Sequence, residues 1–99
     1  MSAYLIANYD VVDSDVYRAY QKQSMSIMAG EGKLLVLDGA SVGKEGTPGA
    51  QTVVIEYPTK EAALAAYESD GYQAVVGIRL SAITNGLAVI VDGFAMPSA

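Results

Sequence analysis

The tightest constraint in this sequence is that its strand-like segments are apolar on both faces. A strand sends successive side chains to opposite sides, so a sheet with one wet face alternates apolar and polar residues. Ala3 to Val12 puts Leu5, Ala7, Tyr9 and Val11 on one face and Tyr4, Ile6, Asn8 and Asp10 on the other. Both faces are largely apolar near its start. Lys33 to Leu37 (KLLVL) and Leu87 to Val91 (LAVIV) show no clean alternation. Thr52 to Tyr57 (TVVIEY) is a fourth run, of strong β-formers, stopped by Pro58. Strands of this kind need cover on both sides.

The segments between them supply one cover. Val12-Asp13-Ser14-Asp15 is a helix start, because Asp13 can accept from the free amides of the first turn. The spacing predicts a helix to Ala29, ending at Gly30 or Gly32. Val16, Tyr20, Gln23 and Ile27 lie near one stripe, widened by Tyr17, Ser24 and Met28. Thr59 caps a second helix with the alanine-rich core Ala62 to Tyr67, broken at Ser69-Asp70-Gly71. A further helix from Tyr72 to about Ala82 follows, then a turn at Thr84-Asn85-Gly86. The order is βαββαβ with a split second helix, over one domain of residues 1–99. This is the α+β, ferredoxin-like arrangement, with one antiparallel sheet carrying its helices on a single face. The other face would be left bare and greasy, beyond what monomers usually expose, so a second copy is expected to cover it in a homodimer.

Composition removes much chemistry. The 99 residues contain no Cys and no His, which excludes disulfides, thiol nucleophiles, a Ser-His-Asp triad and His-ligated metals. Six Lys and Arg against eleven Asp and Glu give a net charge of −5, which argues against nucleic acid and anionic membranes as partners. The opening residues lack a signal-peptide pattern and no run is long enough to span a membrane, so a cytoplasmic protein is expected. Asp38 to Gln51, rich in glycine, has no phosphate-binding motif and is expected to form a wide hairpin or a mobile lid.

Several blocks also resemble a known family. They are Tyr4-Leu5-Ile6-Ala7, Val11-Val12-Asp13 leading to Tyr17-x-x-Tyr20, and Gly30-x-Gly32-Lys33-Leu34-Leu35-Val36. The clearest runs from Val53-Val54-Ile55-Glu56-Tyr57-Pro58-Thr59 through Tyr72-Gln73-Ala74 to Arg79. Together they resemble the domain-of-unknown-function family 1330, a branch of the dimeric α+β-barrel superfamily. The resemblance implies a ferredoxin-like protomer whose sheet pairs with that of a twin to close a barrel. It implies no agreed reaction, since the superfamily spans cofactor-free monooxygenases, lactone isomerases, haem enzymes and small-molecule sensors. No cofactor is expected, and haem in particular would find no His to bind it.

Two residues are the candidates for catalysis. Glu56 interrupts an apolar strand, and in a pocket its raised pKa would suit a general acid or base; otherwise it pairs with a cation or meets water. Arg79 falls in a Val- and Ile-rich helix and could orient a carboxylate or enolate with its planar fork, or lie along the surface. Tyr20, Tyr67, Tyr72 and Asn8 are the candidate ligand contacts. Seven tyrosines suit a cavity for an aromatic or carbonyl compound, or equally a core built with Tyr in place of Phe. The expectation is a pocket between sheet and helices where a hydrophobic carbonyl or aromatic small molecule binds or reacts without a cofactor. The alternative is a non-catalytic dimeric accessory module.

Overall fold

The computed structural model describes residues 2–28 and 30–95, with the side chains of all of these except 26–28. Its elements are β1 (Ala3–Val11), α1 (Ser14–Met28), β2 (Lys33–Asp38), β3 (Gln51–Tyr57), α2 (Lys60–Glu68), α3 (Asp70–Ala82) and β4 (Ile83–Asp92). The strands form one antiparallel sheet in the order β2-β3-β1-β4. This is the ferredoxin-like α+β fold expected from the element order.

Local chemistry sets the element ends. The Asp13 carboxylate accepts from the Val16 amide at 3.1 Å, and Thr59 Oγ1 accepts from the Ala62 amide at 3.0 Å, so both expected caps form. Ser69 both ends α2 and starts α3. Its hydroxyl donates to the Ala66 carbonyl at 2.8 Å and accepts from the Tyr72 amide at 3.2 Å. The break in the helix is thereby fully bonded and holds a fixed angle.

The two faces of the sheet differ as the strand pattern requires. Ala3, Leu5, Ala7 and Tyr9 of β1 are buried beneath the helices with Ile55 and Tyr57 of β3. The opposite face carries Tyr4, Ile6 and Asn8, their cross-strand partners Glu56, Val54 and Thr52, and Val91, Val89 and Leu87 of β4. No element of the described residues lies over that face, and Val89 is 46% exposed. β2 is exposed along its whole length in the single chain, where the sequence reads as buried on both sides. It is an edge strand, and burying it takes something from outside the protomer.

Two expectations need correction, and a third narrows to one of its alternatives. The buried stripe of α1 is Tyr17, Tyr20 and Ser24, whereas Val16 is half-buried and Gln23 is exposed; the Ile27 and Met28 side chains and Ala29 lie outside the described residues. Residues 84–86 form no turn. The register between β1 and β4 slips there, with Asp10 opposite Thr84 and Asn8 opposite Leu87, so β4 continues through a bulge. Asn85 takes the left-handed conformation (φ 56°) that Asn tolerates, and its amide donates to the Thr47 carbonyl at 2.7 Å. Residues 39–50 are a hairpin folded back on the sheet and bonded at several points, which fits the hairpin reading better than the lid. Asn8 holds Gly49 from both sides, donating to its carbonyl at 3.0 Å and accepting from its amide at 2.6 Å. Gly49 is buried against the Tyr9 backbone, where a Cβ would collide.

Candidate functional site

Five tyrosines and one arginine meet between the sheet and the helices. β1 contributes Tyr9, α1 Tyr17 and Tyr20, α2 Tyr67, and α3 Tyr72 and Arg79. Backbone bonds bring these elements together. The Val12 and Asp13 amides both donate to the Ala82 carbonyl, at 2.8 and 3.2 Å, tying the start of α1 to the end of α3. The Ser69 break turns α3 back so that the Tyr67 and Tyr72 rings lie 5.2 Å apart.

The hydroxyls work in pairs. Tyr9 and Tyr17 meet at 2.6 Å, and Tyr20 and Tyr72 at 2.7 Å. Their rings form a continuous series, with centroids 5.7 Å apart for Tyr9–Tyr17, 5.8 Å for Tyr17–Tyr20 and 6.3 Å for Tyr20–Tyr72. Each pair uses one phenolic proton internally and leaves the accepting hydroxyl with its own proton to donate elsewhere. Burial pushes the Tyr9 and Tyr72 hydroxyls well above the usual tyrosine value, and their hydroxyl partners push in the same direction. Tyr17 and Tyr20 are also raised by burial, with their hydrogen bonds opposing. All four hydroxyls therefore keep their protons at neutral pH and act as neutral hydrogen-bonding groups.

Arg79 sits at the centre of this cage, 5% exposed. Its guanidinium carbon is 5.3 Å from the Tyr9 ring centroid and 5.9 Å from that of Tyr20. Burial disfavours the cation, but the surrounding tyrosines, Tyr72 and Tyr20 foremost, more than offset this and hold it above its ordinary pKa. Its place in the last turn of α3 also suits a positive charge. Nε has no hydrogen-bond partner, and the ion pairs among the described residues are Arg18–Asp15 and Lys60–Asp92, both elsewhere. The ring faces return about 2 kcal/mol per desolvated contact, yet an orphaned buried donor still costs about 1–3 kcal/mol. The charge is sheltered without being paired.

Beside Arg79 is a cavity of about 110 Å³. Leu5, Ala7, Val53 and Ile55 form its sheet wall, and Tyr9, Tyr17, Tyr20, Tyr67, Tyr72 and Arg79 its polar side. It is open on one side, and Met25, Leu34 and Leu37 are exposed members of its lining. For scale, an apolar cavity of roughly 150 Å³ admits one benzene ring, so a ring fits here only by extending toward the open side. No carboxylate of the described residues lines it.

Of the residues singled out from sequence, the fold brings Arg79, Tyr20, Tyr67 and Tyr72 together in this cavity. Glu56 and Asn8 are on the other face of the sheet. Glu56 accepts from the Tyr4 hydroxyl at 3.3 Å and stands opposite Lys33, while Asn8 is occupied with Gly49 and Thr52. Strand alternation already implies this. Asn8 belongs to the Tyr4 and Ile6 face, and pairing β3 with β1 assigns Glu56 to the same side. Tyr9 and Tyr17 were not among the candidates, although Tyr9 shares the Leu5 and Ala7 face and Tyr17 is one turn from Tyr20. No group of His, Cys, Asp or Glu able to hold a metal occurs among the described residues.

A four-stranded antiparallel sheet with its helices on one face defines a small ferredoxin-like α+β protein. Residues 2–94 match the model of the family described as Domain of unknown function (DUF1330), and the chain belongs to that family. None of the curated proteins matches it. Among solved structures it is similar to RPA0582, a protein of unknown function from Rhodopseudomonas palustris, with a TM-score of 0.76 at 14% identity over 96% of this chain and 84% of that one. It is also similar to SnoaB, a cofactor-independent oxygenase from Streptomyces nogalater, with a TM-score of 0.67 at 8% identity over 96% and 95% of the two chains. A third, described as a dimeric ferredoxin-like protein of unknown function from Thermobifida fusca, gives 0.63 at 14% identity over 93% and 91%. At such identities the likeness is one of fold. No helix among the described residues is long and apolar enough to cross a membrane.

Proposed function

We propose that this chain is a homodimeric protein whose cavity takes a hydrophobic carbonyl or aromatic molecule of about one ring. The observation that carries the reading is the cavity itself: aliphatic on its sheet wall, tyrosine-lined opposite, and open on one side. Pockets of mostly apolar lining with a few convergent polar groups are the usual form of a small-molecule site. The homodimer follows from the uncovered sheet face, where Ile6, Val54, Val89 and Leu87 would otherwise meet water. The printed description of the Thermobifida fusca protein as dimeric supports the same arrangement.

Chemically, the described lining of the cavity offers hydroxyl groups and one cation but no carboxylate base. It is therefore suited to stabilising charge that develops on a bound oxygen, with Arg79 as the residue in contact with the reacting atoms. A substrate that ionises readily and supplies its own electrons to oxygen would need no base and no cofactor, and the fold shared with SnoaB is compatible with that chemistry. The second reading, a non-catalytic accessory module, draws on the hydroxyl pairs, which satisfy one another without any ligand.

A thermal-shift series with phenol, acetophenone, benzamide and benzoate tests the first reading. A ligand at a hundred times its Kd adds about 2.7 kcal/mol, or roughly 10–20 °C for a chain of this size. The expected result is a saturable rise with at least one member of the series. A flat response throughout, at concentrations up to solubility, favours the module.

A further inference from the structure

We propose that the cavity selects a monoanion, with a carboxylate, phenolate or enolate oxygen of a one-ring molecule bound against Arg79. The proposal rests on the reading above that the cavity takes a small apolar molecule, and it names the charge that molecule carries.

Three observations converge on it. Arg79 is 95% buried by its 5% exposure, lines the cavity, and has an Nε that donates to nothing. No carboxylate of the described residues lines the cavity, and the ion pairs of the described residues leave Arg79 out, so among these residues the positive charge has no counter-ion. In each tyrosine pair the accepting hydroxyl keeps its own proton, which can donate to an oxygen bound beside the guanidinium. A site that is cationic and carries hydroxyl donors is complementary to an oxyanion. The single positive charge matches a monoanion rather than a phosphate dianion. The aliphatic wall formed by Leu5, Val53 and Ile55 matches the ring.

The test is calorimetric titration of the full chain with benzoate and with benzamide, which share shape and differ in charge. Benzoate is expected to bind tighter than benzamide by about tenfold or more, the scale of a charge-assisted hydrogen bond. Arg79→Met is expected to lower benzoate affinity to the benzamide level and to leave benzamide binding unchanged, and Arg79→Lys to retain part of the preference. Equal affinities for the two compounds in the unaltered protein overturn the proposal while leaving the cavity reading intact, and need no variant to be folded. Undiminished benzoate binding by Arg79→Met also overturns it. If neither compound binds, the proposal is overturned, and the cavity reading then stands or falls on phenol and acetophenone.

Discussion

The Tyr20 hydroxyl lies 2.7 Å from the Tyr72 hydroxyl, 52 residues away in sequence, and this bond joins α1 to α3 inside the protein. Tyr20→Phe removes one partner and leaves the Tyr72 hydroxyl buried without its bond. The expected loss is about 1–2 kcal/mol of unfolding free energy, read by urea denaturation. The double change to Phe is expected to cost less than the sum of the two single changes, since it leaves no orphan. Strict additivity would mean that the hydroxyls are not coupled.

Alkaline pH is expected to destabilise the fold. Burial raises Tyr9, Tyr17, Tyr20, Tyr57 and Tyr72 above the ordinary value of 10.0. The folded state therefore holds those protons more tightly than the unfolded chain does. Their contribution is fully present below about pH 10 and is lost as pH rises through the raised values. Denaturant midpoints should be flat with respect to these groups near neutrality and fall above about pH 10, with cooperative growth of tyrosinate absorbance. Early, non-cooperative titration of all seven tyrosines would show that the cage is wet.

Glu56→Gln is expected to leave ligand affinity in the cavity within about twofold of the original, because the sheet separates the two sites. Glu56 pairs with Tyr4 on the opposite face. A large loss of ligand affinity on this change would place Glu56 in communication with the cavity through the partner protomer, and the present assignment of roles would need revision.

Val89→Glu places a carboxylate on the open face among Ile6, Val54 and Leu87. Sedimentation of the unaltered chain is expected to give a species of twice the 10.3 kDa chain mass, and the variant a single-chain species. A monomeric unaltered protein would contradict the covered sheet face.

Much of the fold was legible in the sequence because its punctuation is local. Asp13, Thr59 and Ser69 each cap a helix through a side chain one turn away, and the two-residue period of β1 separates Tyr9 from Asn8 without any tertiary information. What was not legible depends on neighbours distant in sequence. Asn85 and Gly86 read as a turn, yet pairing of β4 with β1 converts them into a bulge. The α1 stripe narrows to Tyr17, Tyr20 and Ser24, leaving Val16 half-buried and Gln23 exposed, because the packed sheet and α3 meet only that side of the helix. Arg79 was legible as a choice between surface and site, and its burial follows only once Tyr9 and Tyr20 arrive from two other elements. Glu56 drew attention as a polar interruption of an apolar strand, but which face it takes is set by its register with Tyr4.

The most direct measurement is a crystal structure of the protein grown with benzoate. The expected density is a ring against Leu5, Val53 and Ile55, with its carboxylate on the Arg79 guanidinium and a tyrosine hydroxyl. A cavity closed by its own side chains, or Arg79 paired with an acidic residue of the protein, would contradict the assignment.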